Sequence, residues 1–323
     1  GAEAVECGLK LARKFTKRPE FIALMGSFHG RSLGTLSVTG QAARRKYDMG
    51  PYLSGVSFAF PPYCYRCFFK QEYPECDLLC ARSVQDVLDF STSKGVAAFI
   101  AEPVMGEAGI IPAPPDYFKL VKETLDQNEI LLIDDEVQTG FGRTGKLFGI
   151  EHYGVKPDIM ATAKGIADGF PISACTTRAD IGDSFEPGDH LSTFGGNPVS
   201  AAAAIANIEF IVKNKLPEKA TEKGAYITQQ LREMQKDYPI IGDVRGKGLM
   251  IGVELVKDQK KTPAIEETAR IKRAAREKGL LVGSGGLKGC VLRIQPPLVI
   301  EKEQMDRALS ILETAIGEVE ISE

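Results

Sequence analysis

The stretch Ile130-Leu131-Leu132-Ile133 runs without a break into Asp134-Asp135-Glu136, followed by Val137-Gln138. A short run of large apolar residues of this kind predicts a strand buried inside a parallel sheet. Packing gives no reason for such a strand to end in three acids, because ionised carboxylates are costly to bury. In open α/β sheets, ligands bind beyond the carboxyl ends of the strands, so acids at that position are candidates for chemistry. Successive side chains of an extended segment face opposite ways, hence only one of Asp134 and Asp135 can address a given ligand. Taken alone, the acids read more simply as a cap on the next turn.

Further short apolar runs at residues 21–25, 96–101, 158–163 and 172–177 have the lengths of buried parallel strands. Helical patterns lie between them. Asp116 stands as a cap before Tyr117, Leu120, Val121 and Leu125, and the alanine-rich segment 198–212 opens on Pro198. This alternation predicts an α/β fold with a large, mostly parallel sheet. After about Lys213 the pattern turns to long polar helices at 218–236, 264–278 and 302–318, with glycine-rich strands at 249–256 and 291–294. The expected organisation is therefore a large domain over residues 1–213 and a smaller C-terminal α+β domain over 214–323. An apolar helical face (Ala4, Val5, Leu9, Ala12, Phe15) begins at the first residues with no cap ahead of it. A preceding N-terminal segment is accordingly expected.

Composition narrows the function classes. Forty basic residues against 43 acidic ones give a net charge of −3, which argues against the basic stripe of a nucleic-acid binder. No apolar run approaches the roughly 20 residues that span a bilayer, and no signal-peptide pattern opens the chain. A cytoplasmic protein acting on small molecules is the expectation, with no nucleic-acid or membrane partner.

Residues 157–163 form another strand pattern, and it ends in Lys164-Gly165. A lysine at a strand end is ordinarily a solvated loop charge. This one follows seven residues without another cation, and in partly apolar surroundings a lysine becomes a nucleophile toward aldehydes. Together with several further motifs, the chain resembles the class III aminotransferases, the family of ornithine, acetylornithine and 4-aminobutyrate aminotransferases. The matching pieces are residues 1–6, Phe28-His29-Gly30-Arg31, Glu102-Pro103 through Glu107, residues 135–145, Pro157-Asp158 with Lys164, Thr193-Phe194-Gly195-Gly196-Asn197-Pro198, and Arg293 before Pro296-Pro297.

The resemblance implies the fold type I of pyridoxal-phosphate-dependent transferases, and a ping-pong transfer from an ω-amino acid such as 4-aminobutyrate, or an ornithine-type donor, to 2-oxoglutarate. It implies that Lys164 holds pyridoxal phosphate in a Schiff base and acts as the base. Asp135 would keep the pyridine nitrogen protonated, Gln138 would bond the 3-oxygen, and Phe28 would stack on the ring with His29 beside it. Gly1 and Ala2, ahead of the first helix, would hold the phosphate. Thr193 would reach the cofactor phosphate of a second subunit, which makes a homodimer the expected unit. Arg31 and Arg293 would dock substrate carboxylates, with Glu107 pairing Arg293 when no carboxylate is present.

Other signals carry less. Gly140, Gly142 and Gly145 match a dinucleotide fingerprint, but acids intrude after the strand and no packed helix pattern follows. The glycine groups at 246–252 and 283–289 read as turns. His29, His152 and His190 show no metal-like spacing. Cys64, Cys67, Cys76 and Cys80 form a cysteine-rich insertion within residues 63–80, either a zinc knuckle or a set of free thiols. Cys7, Cys175 and Cys290 read as core cysteines. The competing activities are racemase or aminomutase chemistry at the same lysine, and an inactive interaction protein.

Overall fold

The computed structural model describes residues 1–41 and 45–320. Its strands are β1 (Glu20–Leu24), β2 (Val56–Ala59), β3 (Val96–Ala101), β4 (Val104–Met105), β5 (Ile111–Pro112), β6 (Leu131–Asp135), β7 (Ile159–Thr162), β8 (Ala174–Thr177), β9 (Ile241–Lys247), β10 (Met250–Leu255), β11 (Gly283–Gly285) and β12 (Val291–Ile294). Six of them form one sheet in the order β2-β1-β3-β6-β7-β8. β1, β2, β3, β6 and β7 run parallel, as the unbroken apolar runs predict. β8 runs antiparallel to β7, against expectation. The link between them holds only a short 3-10 turn and no α-helix, while a parallel return needs a longer crossover.

Both faces of this sheet are covered. The first helix, α1 (Ala2–Thr16), packs its buried residues Ala4, Val5, Leu9 and Ala12 against Ile133, Ile159 and Ala161. Phe15, expected on that face, is 37% exposed. The helices Leu79–Ser91 and Tyr117–Gln127 cover the other face, over Ile22, Phe99 and Leu132. Asp116 stands at the N-cap of the latter helix, but its side chain makes no capping hydrogen bond. The helix Pro198–Lys213 is capped instead by Asn197, whose side chain accepts from the Ser200 N–H.

A second, antiparallel sheet has the order β11-β12-β10-β9. Its own apolar core is shared with the helices Leu216–Asp237, Ile265–Glu277 and Lys302–Glu320. The structure is thus α/β, with a large mostly parallel sheet and a small antiparallel one. Gly252 lies in β10, within the strand expected at 249–256, whereas Gly246, Gly283 and Gly285, expected in turns, lie within β9 and β11. Gly252 sits where a Cβ would come 2.9 Å from the Gly109 carbonyl oxygen, so a bare backbone lets the loop between β4 and β5 approach the second sheet.

The cysteine-rich insertion meets this second sheet. Tyr63 Oη and Arg66 Nε both donate to the fully buried carboxylate of Glu254 in β10, and Arg245 Nη1 of β9 pairs with the same group at 2.8 Å. Arg245 also donates from Nε to the Ile110 carbonyl at 2.9 Å and from Nη2 to the Gly109 carbonyl at 2.7 Å. Cys64, Cys67, Cys76 and Cys80 line one small pocket and all are free thiols. Among the described residues no group of three or more metal-ligating side chains stands close enough to hold an ion. Burial pushes the Cys64 thiol up and the Cys80 thiol up to about 12. No helix among the described residues is long and apolar enough to cross a membrane.

Candidate active site

The parallel strands deliver the site at their carboxyl ends, as the topology of open sheets requires. Phe28 and His29 follow β1, Glu102 follows β3, Asp135 ends β6 and Lys164 follows β7. These residues line one open cavity of about 950 Å³, together with Gly1, Ala2, Arg31, Glu107, Gln138, and Ser192 and residues 194–197. That volume is in the usual range for small-molecule sites, about 300–1,000 Å³. Most of the expected site residues therefore meet in one place. Thr193 is exposed and is not among the lining residues, and Arg293 borders a neighbouring apolar cavity. The match at Gly140, Gly142 and Gly145 forms a loop with no helix after it, only a 3-10 turn at Gly149–Tyr153.

The three acids at the end of β6 separate by alternation. Asp135 faces the cavity; its Oδ2 lies 2.7 Å from His29 Nδ1 and its Oδ1 accepts from the Val137 N–H at 3.1 Å. Both side chains of the pair are almost fully buried. Asp134 takes the other face, and burial, then the charges of Glu136 and Asp135, pushes its carboxyl well above the usual range. Glu136 is turned to structure. It accepts from Thr139 Oγ1 and from the Ile150 N–H at 2.8 Å, and burial pushes its carboxyl above the usual range as well.

Lys164 is exposed in this chain, not enclosed in apolar surroundings as its sequence context suggested. Its backbone is the notable part. Lys164 has φ of 44°, in the left-handed region that side chains with a Cβ rarely enter. Such strain gathers where function fixes a side chain's direction. The Asn207 side chain braces the turn by donating to the Gly165 carbonyl at 2.8 Å.

Glu102 was not among the expected site residues, although its motif was noted. Its Oε1 accepts from the Phe28 N–H at 3.0 Å and its Oε2 from the Gly106 N–H at 2.8 Å. One carboxylate thus ties the loop of the aromatic to the loop of Glu107. Burial, the largest influence, pushes its carboxyl up to about 7. The folded protein therefore keeps a proton that the unfolded chain, with an ordinary value of 4.5, has already lost. The resulting stability is complete below about pH 4.5 and is lost as pH rises through about 7. Urea titrations of cofactor-free protein should show unfolding free energy falling over that window, on the order of 1 kcal/mol per pH unit from this group. Glu102→Gln should remove that part of the slope; an unchanged slope would assign it to Asp134 and Glu136.

Cys7 and Cys175, expected in the core, both line the cavity, and their thiols are close enough to hydrogen-bond. Glu107 is held between two guanidiniums. Its Oε1 accepts from Arg293 Nη1 at 2.6 Å and its Oε2 from Arg45 Nη2 at 2.7 Å. Burial pushes the Glu107 carboxyl up, but the two arginines outweigh it and hold the group below the usual range. Arg45 had not been singled out in the sequence.

The family model for class III aminotransferases matches residues 1–316. Among curated proteins, a leucine/methionine racemase of Thermococcus litoralis is 46% identical over 322 residues, spanning 99% of this chain and 72% of that protein. An acetylornithine aminotransferase of Methanothermobacter thermautotrophicus is 43% identical, over 99% of this chain and 73% of its own. An aminotransferase of Bacillus anthracis superposes with a TM-score of 0.93 at 38% identity, covering 98% of this chain and 75% of that one. With a strained lysine and a buried carboxylate set at neighbouring strand ends, this chain belongs to the class III aminotransferase family of pyridoxal-phosphate-dependent enzymes. The residues fit that cofactor on their own evidence. The cavity has room for it, and the buried His29 Nε2 has no hydrogen-bond partner among the described residues, so the site retains polar capacity for a ligand.

Proposed function

We propose that the chain is a transaminase that carries an amino group from an ω-amino acid, such as 4-aminobutyrate or an ornithine-type donor, to 2-oxoglutarate in two half-reactions at one site. Bound pyridoxal phosphate supplies an aldehyde that condenses with amines and a pyridinium ring that draws electrons from the substrate carbon. Lys164 Nζ is the amine that anchors the cofactor and then takes the proton from the amine-bearing carbon of the donor. Asp135 would keep the ring nitrogen protonated, and His29, 2.7 Å away, fixes the carboxylate's orientation. Phe28 would stack on the ring, Gln138 would bond its 3-oxygen, and Gly1 and Ala2 would offer the phosphate the open N-terminus of α1. Arg31 and Arg293 take substrate carboxylates.

The observation that carries this reading is the Glu107–Arg293 pair beside the lysine cavity. A transaminase must accept two substrates in turn, and a guanidinium that is paired at rest can serve a carboxylate in one of them without being left alone in the other. Incubation of the protein with the cofactor, an ω-amino donor and 2-oxoglutarate should yield glutamate. Arg293→Lys should weaken the 2-oxoglutarate half-reaction by about tenfold or more over the donor half-reaction, because the lysine loses the two-pronged grip. Equal losses would reduce the pair to a structural bridge. A racemase is the second reading, favoured by the 46% identity to the leucine/methionine racemase. It predicts exchange of the α-hydrogen with deuterated water and loss of optical purity, with no 2-oxo acid needed.

Gly106 offers a separate check on Gln138. A Cβ there would lie 1.4 Å from Gln138 Oε1, so Gly106→Ala should displace that side chain while the fold persists. Equilibrium dialysis should then find cofactor affinity lower by about tenfold, the worth of one hydrogen bond to a charged group.

A homodimer completes the proposal, in a cytoplasmic enzyme. Leu191, Phe194, Val199, Ile205 and Phe210 are exposed by half or more, on and just before the helix Pro198–Lys213. This helix is apolar well beyond the few residues it buries, and an uncovered apolar face beside a site marks an association surface. A second copy placed there would bring Thr193 to its neighbour's cofactor phosphate.

A further inference from the structure

We infer that Arg45 is a specificity-determining positioning residue: it is the post that keeps Glu107 ion-paired when Glu107 lets go of Arg293 to admit a dicarboxylate. This rests on the proposed function, and it concerns how the site tells dicarboxylates from substrates with one carboxylate.

The two arginines use different oxygens of one carboxylate, Oε1 for Arg293 and Oε2 for Arg45. Breaking the first contact therefore need not break the second. All three side chains are mostly buried, with 17–22% of each exposed. A carboxylate released into such a place without a partner would carry a large desolvation penalty. Held by Arg293 alone, Glu107 would cling to it and keep the arginine from the substrate.

Arg45 has the rigidity of a fixed post. Its guanidinium carbon lies 5.2 Å from the centre of the Phe28 ring, a cation–π distance. The Phe28 N–H is in turn tied to Glu102, whose other oxygen holds the Gly106 N–H next to Glu107. Arg293 belongs to β12 of the second sheet, so it approaches Glu107 from a different part of the molecule. The Nε atoms of Arg45 and Arg293 are both buried without a partner among the described residues. Arg293 thus has a donor to spare for an incoming carboxylate once Glu107 lets go.

The test is a double-mutant cycle read by binding and by kinetics in the holoenzyme, with glutarate as a non-reacting dicarboxylate. Arg45→Met should raise the glutarate Kd and the KM for 2-oxoglutarate about tenfold, with kcat changed less than about twofold. Arg45→Lys should restore most of the affinity. In a Glu107→Gln background, where no charge needs a post, Arg45→Met should change either constant by less than about twofold. A tenfold loss persisting in the Gln background would mean that Arg45 attracts the dicarboxylate directly and would overturn the inference. So would an unchanged glutarate Kd in Arg45→Met. If the wild-type enzyme makes no glutamate but its glutarate binding follows the cycle, the transaminase reading fails while the role of Arg45 stands.

Discussion

Replacing Lys164 with alanine is expected to lower turnover by at least about 10⁴-fold, because one amine is assigned both the covalent hold on the cofactor and the proton transfer. General-base catalysis alone is worth about 10²–10⁴-fold, and loss of the covalent route adds to it. The fold should persist, since Lys164 is exposed and its turn is braced by Asn207. Alanine at a φ of 44° keeps the backbone strain without the side chain that uses it. Borohydride reduction followed by peptide mapping gives a readout independent of turnover. Label should appear at Lys164 in the wild type and nowhere in the variant, and covalent label on another lysine would refute the assignment.

The second large effect is expected from Asp135→Asn. The change is nearly isosteric and leaves an oxygen to accept the Val137 N–H, so local geometry should survive. What disappears is the buried negative charge 2.7 Å from His29 Nδ1. An opposite charge at close range shifts a neighbour's pKa by about 1–3 units, so turnover should fall about 10²–10³-fold as the ring nitrogen loses its proton. Cofactor affinity should change far less. A spectroscopic pH titration of the bound cofactor would show the altered protonation directly, and an unchanged titration would remove Asp135 from this role.

Both residues were legible in the sequence for the same reason: each breaks the pattern of the strand that delivers it. Three acids after Ile133 and a lone cation after Ala163 are out of place for packing, and alternation leaves one acid for the cavity. What was not legible depends on distant partners. Arg45 gains its meaning from Glu107, 62 residues away, and from the Phe28 ring. Strand β9, which was not among the strands expected from the sequence, carries Asp243, Arg245 and Lys247, and Arg245 is mostly buried where Glu254 and Asp243 neutralise it. The direction of β8 was missed although its short connection to β7 was visible, because run length was weighed without the crossover a parallel return needs. The positive φ at Lys164 leaves no mark on residue type at all.

The buried charge cluster at Glu254 bears on how such an enzyme can move. Tyr63 and Arg66 reach it from the large sheet's side, and Arg245 extends from it to the backbone of the loop that carries Glu107. Separating these groups would strand charges away from water, so rigid-body closure of one sheet over the other is resisted at the point where a hinge would have to open. The frame is stiff there, and under the proposed function the adjustment between substrates would fall to torsions of the Glu107 side chain. Side-chain torsions of this kind are fast beside domain closure. Exchange of one substrate for the other should therefore be timed by chemistry and product release, with no slow conformational step between the two half-reactions.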